Sequence, residues 1–95
     1  MSLKKQNDIL AFKVTAKDGK WGIILAEDEF VANDCFQTEN NISEKNISSV
    51  ENLELTDRIL NVYTGKRSTI AEMINGIKFF PRCILESDDL QNIDN

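Results

Sequence analysis

The sequence predicts a small α+β protein: an antiparallel sheet of about five strands, opening with an N-terminal hairpin and meander, with one short helix packed on one face. Three observations predict it. Leu10, Phe12, Val14 and Ala16 alternate with Ala11, Lys13, Thr15 and Lys17, the period-two pattern of a half-buried strand. Asp18-Gly19 follows at once, the dipeptide that best accepts the positive φ angles of a tight hairpin turn. Further on, Thr69-Ile-Ala-Glu72 spells a helix capping box ahead of Ile70, Met73, Ile74 and Ile77 at helical spacing.

Residues 1–8 are expected to be a flexible N-terminus, residues 9–85 the single α+β domain and residues 86–95 a frayed acidic tail. The hairpin spans residues 9–25. A two-residue type I′ turn at Asp18-Gly19 sets Ala16 opposite Trp21, Val14 opposite Ile23 and Phe12 opposite Leu25, all apolar and all on one face. In that register Phe12 and Trp21 point to one side, and Lys13, Lys17 and Lys20 to the other.

A second reversal at Glu27-Asp28 sets Leu25 beside Phe30 and Ile23 beside Ala32, which predicts a third strand ending near Gln37. It also places Asp34 on the apolar face, between Ala32 and Phe36. There Asp34 is either a buried carboxylate, with a raised pKa or bonded to the Trp21 indole, or turned outward by a bulge. Residues 38–46, polar and rich in asparagine, read as an exposed loop. Residues 47–57 admit two readings: Ser48-Ser-Val-Glu51 fits a capping box, and residues 50–55 fit a strand nearly as well.

Residues 58–64 read as a strand closed by Gly65, and residues 69–75 as the helix, with Gly76 suited to a left-handed cap. Residues 77–85 read as a last strand. Pro81 cannot donate to a ladder, which puts that strand at an edge or a bulge and weakens its pairing with a twin.

Ninety-five residues make one domain with one modest core. No apolar run approaches the roughly 18 residues of a membrane span, and Met-Ser-Leu-Lys-Lys-Gln lacks a signal peptide's apolar segment, so a soluble cytoplasmic protein is expected. Cys35 and Cys83, without C-x-x-C spacing, read as buried free thiols. The sequons at 41 and 46 then read as surface loop. Abundant asparagine and isoleucine with scarce proline and arginine suggest a microbial or phage source.

Charge is distributed in blocks. Residues 1–20 carry a net +3 and residues 58–85 a net +4. Between them, residues 21–57 hold nine acids (Glu27, Asp28, Glu29, Asp34, Glu39, Glu44, Glu51, Glu54, Asp57) against Lys45. The tail adds −4, for an overall −5.

The chain has no histidine, which removes the commonest general base, the Ser-His and Cys-His pairs and most zinc sites. No catalytic residue, metal ligand or cofactor is expected, and the protein is read as a non-enzyme. Glu27, Asp28, Glu29 and Asp34 lack the order of an EF-hand and read as an acidic, solvated hairpin tip. Thr64-Gly-Lys-Arg-Ser-Thr69 resembles half of a phosphate-binding loop by accident and reads as a surface turn: Leu60 stands where the Walker glycine belongs and Arg67 where a Ser or Thr must follow the lysine.

The functional expectation is a small binding protein, an inhibitor, immunity-type antidote or regulatory adaptor, that presents Glu27, Asp28, Glu29, Asp34, Glu51 and Glu54 to a basic protein partner. The alternative is a β-rich nucleic-acid-binding domain using Lys13, Lys17, Lys20, Lys66 and Arg67. It requires the hairpin lysines and the Lys66-Arg67 turn to share one surface. No membrane partner is expected.

Overall fold

The computed structural model describes residues 9–62 and 64–89. The predicted α+β class holds. A four-stranded antiparallel sheet has the order β3-β1-β2-β6, from β1 (Leu10–Ala16), β2 (Trp21–Ala26), β3 (Ile47–Leu53) and β6 (Arg82–Glu86). A separate two-stranded sheet pairs β4 (Arg58–Asn61) with β5 (Lys66–Thr69). Helix α1 (Glu29–Asn40) covers one face of the larger sheet, and the small sheet with helix α2 (Ile70–Asn75) covers the other. The strands predicted as one sheet are therefore divided between two.

The hairpin forms, but its turn corrects the predicted register. Gly19, at φ +96°, donates to the Ala16 carbonyl (3.0 Å), and Ala16 donates to the Lys20 carbonyl (2.7 Å). This is a turn followed by a left-handed glycine bulge, not a two-residue closure. Thr15 now opposes Trp21, Val14 opposes Gly22 and Phe12 opposes Ile24. A one-residue shift exchanges the faces of a strand, so Trp21, Ile23 and Leu25 lie with Ala11 and Lys13, while Gly22, Ile24 and Ala26 lie with Phe12, Val14 and Ala16. Both faces tolerate this because every side chain of Trp21-Gly-Ile-Ile-Leu-Ala26 is apolar or absent. Gly22 permits the closest packing: a Cβ there would lie 3.0 Å from a ring carbon of Phe36.

The predicted third strand is instead α1. Asp28 accepts from the Val31 N–H (2.9 Å) as N-cap, which fills the turn that was to join two strands. Ala32 and Phe36, four residues apart, go into the core with Val31 and Cys35 beside them. Asn41 closes the helix in the left-handed conformation (φ 54°), and Ile42 reaches back to the Gln37 carbonyl (3.0 Å). Residues 38–40, expected as loop, are thus its last turn, and a 3-10 turn (Glu44–Asn46) leads into β3.

In residues 47–57 the strand reading prevails: β3 pairs with β1, with Val50 opposite Val14 and Glu51 opposite Lys13. The strand predicted over 58–64 ends at Asn61, and the basic turn beyond it becomes β5. The capping box of α2 is present, Thr69 Oγ1 accepting from the Glu72 N–H (3.2 Å) and donating to its carboxylate (2.9 Å). Gly76 is not left-handed as expected (φ −89°); the Gly76 and Ile77 N–H groups close the helix on the Met73 and Ile74 carbonyls. The last strand begins at Arg82 rather than residue 77, after the proline that interrupts pairing, and it is the predicted edge. Glu86 closes β6 and residues 87–89 are helical; the expectations for residues 1–8 and 90–95 lie outside the described residues. The thiols of Cys35 and Cys83 are free and half-buried.

Candidate functional site

Helix α1 with the two residues before it carries Glu27, Asp28, Glu29, Asp34 and Glu39 and no lysine or arginine. Ala32 and Phe36 fix the buried side, which turns Phe30 and Asp34, one helical turn apart, outward together. Phe30 is 78 % exposed, a large ring held in water between the acids of the first turn and Asp34. Asp34 is on the surface, as the outward reading had it, but a helix and not a bulge turns it there. The Asp28 carboxylate is committed to the helix cap, whereas Glu29 and Asp34 have no ion-pair partner among the described residues.

The other two acids of the predicted set stand apart from these. Glu51 projects from β3 on the sheet face opposite α1, because its neighbour Val50 packs under the helix. Glu54 follows in an exposed turn, where its N–H donates to Asp57 Oδ2 (3.1 Å). The six acids thus form a helix group, Glu27 to Asp34, and a sheet-edge group, Glu51 and Glu54.

The basic set is divided among β1, the hairpin turn and β5. Lys13 shares a face with Trp21, against expectation, because of the register shift; its Nζ lies 4.8 Å from the centre of the indole ring. Lys20 pairs with Asp88 at 3.4 Å. Lys17 sits at the hairpin tip, beside a cavity it lines with Asn41, Ile42 and Asn46 near the end of α1. Lys66 and Arg67 belong to β5, which packs with β4 and α2.

A constellation that sequence reasoning missed joins α1 to β6. The ligand-bearing atoms of Glu39, Cys83 and Glu86 lie within 4.8 Å of one another. Cys83 donates to Glu86 Oε1 (3.5 Å) and to the Leu85 carbonyl (3.7 Å). Burial pushes the Cys83 thiol up, and the Glu86 and Glu39 carboxylates push it further. Burial also raises Glu39, with Glu86 adding to it. Cys35, one turn before Glu39, is pushed up to about 11 by burial first and then by Glu39, Asp34 and Glu86. One thiol and two carboxylates are donors a divalent ion accepts, but a metal must first displace the thiol proton, which this environment retains at neutral pH. No spacing rule could reveal the group, since it depends on α1 meeting β6.

Beside the start of α1 a groove of about 290 Å³ opens against the 78–81 loop. Phe79 at its lip is 81 % exposed. Among the described residues no helix is long and apolar enough to cross a membrane. No protein family, curated protein or solved structure matches the chain.

Proposed function

We propose that this is a non-enzymatic, cytoplasmic binding protein that presents the outer face of α1 to a basic protein surface, in the manner of an inhibitor, antidote or adaptor. The observation that carries the reading is the cation-free run of carboxylates from Glu27 to Asp34, in which exposed Glu29 and Asp34 flank the exposed ring of Phe30. Carboxylates held out in water steer an oppositely charged partner and select against others, while a rigid exposed ring supplies the desolvated anchor that interface energies concentrate on. The helix cap leaves Glu29 and Asp34 for that role, and Glu51 and Glu54 lie outside this face.

The nucleic-acid reading draws less support. Lys13 is stacked on Trp21 and Lys20 is paired with Asp88, so two of the three hairpin lysines already have partners within the fold.

The test is capture of a partner from the host of origin, with wild-type protein and a Glu29→Lys/Asp34→Lys variant that leaves the Asp28 cap intact. A specific basic protein retained by the first and lost by the second is the expected result. Retention of every specific partner by the variant contradicts the proposal.

A further inference from the structure

We propose that the groove between α1 and the 78–81 loop seats an apolar side chain carried by a lysine- or arginine-rich segment of the partner protein. The inference rests on the acidic-surface reading above and specifies the chemistry of the segment that reading calls for.

The groove has an apolar lining of Ile9, Val31, Phe79, Phe80 and Pro81. Its volume of about 290 Å³ lies at the lower limit of small-molecule pockets, roughly 300–1,000 Å³, which suits a single inserted side chain. Phe79 leaves most of its ring in water, and Phe30 does the same on the neighbouring stretch of α1. Exposed apolar surface of this kind, rimmed by charge, marks an interaction site.

The rim gives the occupant its charge and its orientation. Glu27 lines the groove on the α1 side, followed in the chain by Asp28, whose carboxylate caps the helix, and by the exposed Glu29, and Lys78 lines the loop side. A segment whose cations lie along α1 meets carboxylates, whereas cations turned toward the loop meet Lys78. The same acids disfavour two other occupants. An anionic membrane surface is repelled by them, and a second copy of this chain brings its own net charge of −5.

The experiment is an NMR titration of the full-length, 15N-labelled protein with three synthetic peptides of equal length: an amphipathic Lys/Leu helix, a Lys/Ser peptide and a Gln/Leu peptide. The Lys/Leu peptide is expected to bind most tightly and to shift the amides of Val31, Phe79 and Phe80. Phe79→Ala, at an exposed position where the fold is indifferent, is expected to weaken it about tenfold. Equal binding of the Lys/Ser peptide, or an unchanged affinity in Phe79→Ala, overturns the groove while leaving the acidic surface standing. Equal binding of the Gln/Leu peptide overturns both, because charge then contributes nothing. Absence of binding by all three overturns the inference. So do concentration-dependent shifts at these amides without peptide, which assign the groove to a second copy.

Discussion

The two layers that cover the central sheet are built differently. On one side α1 sinks only Ala32 and Phe36 fully and holds its carboxylates in water. On the other, Ile59, Ile70, Met73 and Ile74 are buried beneath a segment, residues 58–85, with five cations against Glu72. Lys13 on β1 is folded over Trp21, and Lys20 at the hairpin end is held by Asp88. Lys13 and Lys20 are therefore engaged within the fold, while Glu29 and Asp34 have no ion-pair partner among the described residues, and the proposal of the helix layer as the binding surface rests on that difference. Within the helix itself two phenylalanines divide the work: Phe36 fastens α1 to the sheet and Phe30 faces outward.

That division can be broken directly. Phe36→Ala is expected to cost about 3–5 kcal/mol of stability in denaturant unfolding, because the ring is fully buried over Gly22. Phe30→Ala is expected to stay within about 0.5 kcal/mol of wild type. Equal losses would mean that the helix is not oriented as described. Gly22→Ala tests the same contact from the sheet, since its Cβ must displace Phe36; a loss of about 1–3 kcal/mol in thermal or denaturant unfolding is expected.

Asp28→Ala removes the cap that makes this segment a helix and is expected to cost about 1 kcal/mol, measured in the same way. It separates the one structural acid of the run from the others, since Glu29→Gln and Asp34→Asn should leave stability almost unchanged.

The smallest effect is titration of the half-buried thiol on α1. Cys35 keeps its proton in the folded state up to about 11, against 9.0 for an unperturbed thiol. Between those values the native state binds more protons than the unfolded chain, so this contribution to stability falls as pH rises from 9.0 toward about 11. Iodoacetamide labelling followed by mass spectrometry should show slow Cys35 alkylation at neutral pH that accelerates only toward the upper end of that range. Glu39→Gln, which removes the largest charge effect on Cys35, should move the acceleration to lower pH.

Much of this fold is legible in the chain. The alternation of β1, the position of its turn and the cap of α2 are local signals, and each is found where the residues put it. The register of β2 was hidden because Trp21-Gly-Ile-Ile-Leu-Ala26 is apolar throughout, so no polar residue marked a face. Helix α1 was missed because Phe30, Ala32 and Phe36 also fit a period of two. The misfit was Asp34, which a strand places among core residues; at helical spacing Ala32 and Phe36 go inward while Phe30 and Asp34 go outward. The acids of the helix group are candidates from the sequence alone, but Phe30 is not, since the strand would have buried it. The Glu39, Cys83 and Glu86 group lay beyond reach for a different reason: it needs the packing of α1 on β6.

The most direct test of the helix layer as the binding surface compares two charge reversals against the captured partner. Association rates are measured by biolayer interferometry at several salt concentrations for wild type, Glu29→Lys/Asp34→Lys and Lys66→Glu/Arg67→Glu. The acidic-layer reversal should slow association about tenfold or more at low salt and flatten the salt dependence, and the basic-layer reversal should leave or raise the rate. A slower rate only in the Lys66→Glu/Arg67→Glu protein would contradict the account.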